Sequence, residues 1–348
     1  MNHISDSITA KSEPSQVPLE QVHCALCGEE TRTALWRSQN GFAIVRCLNC
    51  GLGYVNLRPP QSLIQQFYPA NYYAHHSSSG VWAILGRIKQ RLLMAVAIHK
   101  FGYPRPVGYS RGGVGQVVER LFAHLFAGRF TRIPPFQPTN APRRSLDIGC
   151  GSGAYVSFLQ ELGWDACGIE PNPRAVQAAR DRGCRNVSTG TIADLHSDGA
   201  GFDLVTLWDV LEHTHFPMRV LQQARDILRA DGLLIVKVPN VECLEARIWK
   251  NDWMGFDAPI HLYDFTVQTL TAMLNKAGFR VRDLAYVTPP NMIASGLIVG
   301  LKWRLPLLDL AALFTPLTLL CVPIAFMLDV THLGNTIQIS AVPEGQDV

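Results

Sequence analysis

The chain has 348 residues, 47% of them hydrophobic and only 17% charged. That is length for about two domains and a substantial core, and it excludes a disordered polyelectrolyte. The net charge of +3 hides a division: between Val81 and Arg144 eleven Lys/Arg face one acid, Glu119, so this block carries +10 and the rest −7. So concentrated a basic block predicts an anionic partner, whether lipid, phosphorylated substrate or nucleic acid. Five of the nine cysteines (Cys150, Cys167, Cys184, Cys243, Cys321) stand alone, and the first twenty residues contain no apolar run. Neither fits a secreted disulfide framework, and together they predict a reducing cytoplasm.

In chain order, residues 1–20 are polar and predict a disordered tail. Residues 21–58 form a small module containing Cys24-x-x-Cys27-Gly28 and Cys47-x-x-Cys50-Gly51. Each pair can make a knuckle whose glycine eases the turn, and four thiolates suit a closed, tetrahedral, structural zinc. Residues 59–143 read as a linker followed by two basic amphipathic helices, separated by a glycine-rich loop from Gly102 to Gly115. Such helices either lie on an anionic membrane or cover the neighbouring domain.

From residue 144 to 291 strands and helices alternate, which predicts an α/β fold with a parallel sheet. Strands are expected at Ser145–Ile148, Ala166–Ile169, Phe202–Trp208, Leu233–Val238 and Phe279–Val287. The expected helices are Ala154–Leu162, one capped by Asn172 with Pro173 in its first turn, Pro217–Arg229 and Val267–Ala277. Asp231-Gly232 reads as a turn between the third of these and its strand. Residues 292–330 are strongly apolar, and 331–348 supply a last strand at Asn335–Val342.

The chemistry concentrates in SLDIGCGSG (145–153), where a strand runs into a glycine turn and then a helix. Glycines let backbone approach a ligand, and the helix start offers it free N–H groups. Seventeen residues on, in GIEPNP, Glu170 and Pro171 end the next strand. A carboxylate there can hold both ribose hydroxyls of an adenosine. Gly149, Gly151 and Ala154 also satisfy a permissive dinucleotide fingerprint. Asp147, two residues before the first glycine, would oppose a pyrophosphate but suits an ammonium group.

Two segments, LDIGCGSGAYVSFLQELGWDACGIEPNPRAVQAARDRG (146–183) and FDLVTLWDVLEHTHFPMRVLQQARDILRADGLLIVKVPN (202–240), resemble the class I S-adenosylmethionine (SAM) dependent methyltransferases. They look most like the bacterial branch related to ubiquinone-pathway O-methyltransferases. The resemblance implies a Rossmann-like seven-stranded sheet with helices on both faces. It implies that Asp147, Gly149, Cys150, Gly151 and Gly153 meet the methionine part of the donor, Glu170 the ribose, Thr191 and Ile192 the adenine, and Trp208 and Asp209 the methyl group. Methyl transfer to oxygen usually needs a base near neutrality, typically His. His261, in WMGFDAPIHLYDF (253–265), is the first candidate; that stretch is similar to a Trp-x-Gly…Pro-x-His-Leu signature in relatives. His213, in DVLEH, is the second. The cysteine module, including RCLNCGLGYVNLRPP (46–60), is similar to a zinc-binding domain found in front of some methyltransferases.

Leu305–Leu328 is 24 residues of mostly apolar sequence, interrupted by Asp309, Pro306, Pro316 and Pro323. A sheet strand must follow it, so a single crossing is disfavoured. A hairpin docked on or re-entering the membrane is expected, with Met292–Leu301 as its other arm. The leading expectation is therefore a methyltransferase bound at the inner face of the cell membrane, acting on a lipid-soluble or lipid-linked small molecule. A zinc-knuckle RNA methyltransferase is the alternative, disfavoured by the absence of an Asn-Pro-Pro-Tyr motif; Val238-Pro239-Asn240 stands there. A non-catalytic SAM-binding scaffold is the third reading.

Overall fold

The computed structural model describes residues 17–38, 41–68, 81–105, 114–126, 133–134, 142–195, 201–250, 253, 255–304 and 314–345. Most of the expected disordered tail, residues 69–80 of the linker, most of the Gly102–Gly115 loop and residues 305–313 of the apolar stretch lie outside the described residues.

Two sheets organise the chain. The smaller has β1 (Arg32–Arg37), β2 (Ala43–Cys47), β3 (Gly53–Asn56) and β9 (Tyr263–Asp264), in that order and antiparallel throughout. The larger contains β4 (Arg144–Ile148), β5 (Asp165–Glu170), β6 (Val187–Thr189), β7 (Phe202–Trp208), β8 (Leu228–Pro239), β10 (Phe279–Tyr286) and β11 (Thr336–Pro343). Its order is β10-β11-β8-β7-β4-β5-β6. β4, β5 and β6 pair in parallel, while β11 runs antiparallel between β8 and β10. This is the mostly parallel sheet expected from the strand–helix alternation, with the seven strands and Rossmann-like form that the resemblance implied. The chain divides into two compact units, Tyr73–Thr206, and Met1–Tyr72 with Leu207–Val348.

The Tyr73–Thr206 unit contains α1 (Val81–Phe101), α2 (Val114–Phe126), α3 (Ala154–Glu161) and α4 (Pro173–Asp181). Asn172 caps α4 as anticipated, its side chain accepting from the Arg174 N–H at 2.9 Å, with Pro173 in the first turn. Such a cap is worth about 1 kcal/mol. Met94 to Ile98 of α1 are all buried. Arg91 pairs with Glu119 on α2 at 3.4 Å, and Trp164 Nε1–H donates to the buried Tyr103 hydroxyl at 3.2 Å. The second half of α1 is thus core of this unit, as the covering-helix reading has it.

In the other unit, α5 (Pro217–Ile227) ends two residues earlier than expected. β8 begins at Leu228, and Asp231-Gly232 lies inside the strand instead of forming a turn before it. Leu228 is buried while Arg229, Ala230 and Asp231 are exposed, so this first stretch is anchored at its start and otherwise faces water. α6 (Leu244–Trp249) follows β8, and α7 (Val267–Lys276) starts at a Thr266–Thr269 capping box. α8 (Pro290–Arg304) and α9 (Phe314–Val330) pack through Ile293, Ala294, Cys321, Ala325 and Leu328. β11 follows them and rejoins the sheet, as the hairpin argument required. Among the described residues no helix is long and apolar enough to cross a membrane. α9 nevertheless exposes Leu319, Leu320, Val322, Ile324, Phe326, Met327 and Val330, Leu320 to 69%.

Asp264, in β9, is buried, and its Oδ2 has no hydrogen-bond partner. Burial pushes its pKa up to about 7, weakly opposed by Arg46. A raised folded pKa means that the folded state holds the proton more tightly, so stability falls as pH rises from the free-carboxyl range to about 7. Asp264→Asn is expected to track the parent near pH 4 and to become progressively more stable than it towards pH 7, by on the order of 1 kcal/mol per pH unit. Denaturant melts across that range measure this; parallel curves for the two proteins would contradict it.

Candidate active site

The glycine turn after β4 is built by backbone that only glycine adopts easily. Gly149, Gly151 and Gly153 have φ of 69°, 52° and 69°. The N–H groups of Gly149 and Cys150 donate to Ile169 O at 2.8 and 3.2 Å, pinning the turn onto β5. Gly168 makes this possible: a Cβ there would lie 2.6 Å from Cys150 Sγ. The sequence reading did not single out Gly168, because the requirement comes from a residue on another strand. Glu170 is only 3% exposed. Its Oε2 accepts from the Gly151 N–H at 3.1 Å and its Oε1 from the Asn172 N–H at 2.9 Å. Burial raises its pKa, and those two N–H groups pull it back. Each oxygen keeps acceptor capacity for a diol. Asp147 is buried and accepts from Thr206 Oγ1–H at 2.7 Å. Burial lifts the Cys150 thiol above its ordinary pKa, with Asp147 and Glu170 adding to the shift, so it stays protonated.

The structure thus gathers Asp147, Gly149, Cys150, Gly151, Gly153 and Glu170 at one turn, with Pro171 exposed beside Glu170. The end of β6 is tied in by the Gly190 N–H, which donates to Glu170 O at 3.0 Å. Asp194 Oδ2 accepts from the Thr191 N–H and Oγ1–H at 2.7 and 2.9 Å, so that carboxylate caps the turn Ile192–Asp194. The Ile192 side chain is buried.

A second cluster lies in the other unit. Trp208 ends β7 half-buried, and Asp209 follows with a φ of 56°. Asp209 pairs with the nearly buried Lys237 at 2.6 Å. Glu212 is fully buried, and neither carboxylate oxygen has a hydrogen-bond partner. Burial pushes its pKa well up, Asp209 adds to this, and Lys237 opposes it. The rings of His213 and His261 meet edge to face with centroids 4.6 Å apart. His213 Nδ1 lies 3.1 Å from Ile260 O, and His261 Nδ1 lies 2.7 Å from Gly255 O. A carbonyl can only accept, so both Nδ1 atoms carry a proton. Burial, then the neighbouring His261, lowers the His213 pKa to about 3, so this ring is neutral near pH 7. Ligand atoms of Glu212, His213 and His261 all lie within 4.8 Å of one another.

One carboxylate and two imidazoles, with the imidazole N–H groups anchored on backbone carbonyls, fit a divalent cation and leave positions open on it. The orphaned Glu212 is the observation that favours such an occupant, because a buried carboxylate without a partner is costly. Sequence reasoning named His213, His261 and Asp209 but missed Glu212. The letters DVLEH carried it, but nothing local revealed that the side chain turns inward.

The Trp-x-Gly signature has a steric cause. A Cβ on Gly255 would lie 2.3 Å from the Trp253 ring, which also packs edge to face on Phe256 at 4.6 Å. The Gly255 carbonyl is the one that orients His261. At the N-terminal module, Cys24 and Cys50 Sγ are 3.4 Å apart, as are Cys27 and Cys47 Sγ, and all four lie within 4.8 Å. Tetrahedral zinc thiolates place sulfurs about 3.8 Å apart, so this set fits that ion. Gly28 and Gly51 follow the pairs at φ of 81° and 80°, and their N–H groups close onto Cys24 O and Cys47 O. Gly255→Ala is expected to displace the Trp253 ring and cost about 1–3 kcal/mol, as overpacking does. Tryptophan fluorescence and thermal melts read this; a parent-like melt and spectrum would refute the packing argument.

Residues 118–284 match the model of a family described as a methyltransferase domain. Two ubiquinone biosynthesis O-methyltransferases are similar, each 30% identical: one from Cereibacter sphaeroides over 35% of this chain and 57% of its own, one from Azorhizobium caulinodans over 41% and 60%. A probable S-adenosylmethionine-dependent methyltransferase of Mycolicibacterium smegmatis is 28% identical over 48% of this chain and 58% of its own. The chain therefore spans less than two thirds of the length of the curated relatives it matches. A solved SAM-dependent methyltransferase from Thermotoga maritima aligns with a TM-score of 0.42 and 18% identity over 76% of this chain and all of that one. The glycine turn after β4, the Glu170 carboxylate at the end of β5, the seven-stranded sheet and the match over residues 118–284 support a class I S-adenosylmethionine-dependent methyltransferase.

Proposed function

We propose that the protein transfers the SAM methyl group to a hydroxyl oxygen of a lipid-soluble or lipid-linked small molecule. The observation that carries this reading is the Glu212–His213–His261 cluster, whose unpartnered carboxylate and two imidazoles each bring a ligand atom within 4.8 Å of the others. Glu212 and His213 follow the carboxyl end of β7, and α/β sheets carry their sites at such ends. Asp147 takes the ammonium group of the donor and Glu170 its ribose hydroxyls. Holding donor and acceptor in line can supply roughly 7–11 kcal/mol of the barrier. Glu212, His213 and His261 would hold a divalent cation, which when bound lowers the pKa of a coordinated hydroxyl. The names of the ubiquinone biosynthesis relatives favour a hydroxyl acceptor. Cys24, Cys27, Cys47 and Cys50 would hold one structural zinc per chain, and metal analysis that finds none would refute this.

Donor and acceptor roles separate experimentally. In calorimetry with S-adenosylhomocysteine, Glu170→Ala and Gly151→Val are expected to weaken binding about tenfold or more, the scale of a lost charge-assisted hydrogen bond. Glu212→Gln and His261→Ala should leave that affinity intact, weaken Mn²⁺ binding, and abolish methyl transfer from labelled SAM into a lipid extract. Full transfer by both of the latter variants would sink the acceptor assignment.

The lipid part of the reading rests on α9. Its seven exposed apolar side chains form a surface that a bilayer interface would cover. Flotation with vesicles containing anionic lipid is the measurement. Leu320→Asp with Phe326→Asp should remove the salt-resistant part of the binding. A parent protein that stays at the bottom of the gradient at every salt concentration would exclude membrane docking.

A further inference from the structure

The four-cysteine module is joined edge to edge to the segments that carry the Glu212–His213–His261 cluster. β3 pairs with β9, Tyr54 opposite Tyr263 and Gly53 opposite Asp264. The pairing begins one residue beyond His261: the Val55 N–H donates to Leu262 O at 3.0 Å. From its other side, the Leu262 N–H donates to Glu212 O at 2.7 Å. Gly53 lets the strands come this close, since a Cβ there would lie 2.8 Å from Asp264 Cβ.

A second tie lies on the far side of the cluster. Arg58 is 3% exposed and is held in place by Glu20 at 2.9 Å. Its Nη1 donates to His215 O at 3.2 Å and to the Tyr263 hydroxyl at 3.0 Å. Tyr263 Oη–H donates to the same His215 carbonyl at 3.2 Å, and His215 Nε2–H donates to Pro59 O at 3.0 Å. The module therefore grips His215, two residues after His213, and Leu262–Tyr263, directly after His261. Tyr68, farther along the same N-terminal segment, places its hydroxyl 3.5 Å from His213 Nδ1.

The geometry points to Arg58 and the β3–β9 pairing as a strut: the four-cysteine module sets the spacing of Glu212, His213 and His261, and Arg58 is a positioning residue for the acceptor step. This inference rests on the acceptor reading of that cluster. A charged side chain buried against two carbonyl-bearing segments is costly unless its partners are fixed, so its burial also fixes them. A module serving only as an appendage would need none of these bonds. Here His215, Leu262 and Tyr263 each take a partner from this N-terminal segment.

The test uses the full chain with Arg58→Met, which keeps the stem and removes the donors, and with Gly53→Val, which forces β3 from β9. Zinc content of each variant reports whether the module is still folded. Both variants are expected to keep their zinc and to bind S-adenosylhomocysteine within twofold of the parent. Mn²⁺ affinity and kcat should each fall tenfold or more, with KM for the donor unchanged. Amide exchange over 211–215 and 260–264 should rise. Zinc-loaded variants with parental Mn²⁺ affinity, kcat and exchange overturn the strut. If the parent binds no Mn²⁺ and Glu212→Gln turns over normally, the acceptor reading fails by itself. Exchange over those two segments then decides the strut, and unchanged exchange overturns it. If Gly53→Val retains no zinc, Arg58→Met carries the decision.

Discussion

Leu262 is hydrogen-bonded in two directions, and the Glu212–His213–His261 cluster is organised around it. Its N–H is taken by the carbonyl of Glu212 and its carbonyl by the N–H of Val55. Buried backbone polar groups must be satisfied somewhere. Here that requirement brings together three segments far apart in sequence: the end of β3, the turn after β7 and the loop leading into β9. His213 and His261 stand next to these anchored positions, and their rings are oriented by two further backbone carbonyls, Ile260 O and Gly255 O. The chemistry of the cluster is a consequence. Imidazoles whose Nδ1–H is already committed can offer only Nε2 lone pairs, and a carboxylate with no donor nearby stays unsatisfied.

The donor-side turn follows a different logic. It is local, and its stability comes from backbone geometry. Three glycines at positive φ let two N–H groups fold back onto Ile169 O, and Glu170 then closes the loop by accepting from Gly151. The carboxylate is buried yet partnered, whereas Glu212 is buried and unpartnered. That contrast separates a carboxylate whose hydrogen bonds are made within the fold from one left without a donor.

The apolar hairpin shows how topology limits a hydropathy argument. A run of 24 mostly apolar residues reads as membrane-seeking. After that run the chain nevertheless returns β11 to a place between β8 and β10. α9 buries Cys321, Ala325 and Leu328 against α8 and leaves its larger apolar side chains outward. The arrangement keeps the sheet intact and an apolar surface exposed at once.

Local chemistry made the fold class, the glycine turn, Glu170 and the four-cysteine set legible from sequence alone. Strand–helix periodicity, turn glycines and C-x-x-C spacing are all encoded within a few residues. The Asn172 cap and the return of the last strand were readable for the same reason. What sequence could not supply was burial and distant contact. Glu212 sits openly in DVLEH, but only the packed structure shows it fully enclosed. Gly168 looks like any strand residue until Cys150 Sγ is found above it. Arg58 reads as a surface cation until it is seen bonding a carbonyl 157 positions away. The start of β8 was missed because an Asp-Gly pair favours a turn locally, whereas the chain stays extended through it from Leu228. Local propensity selects the elements; which polar groups end up together, and which are left without partners, is decided only when those elements pack.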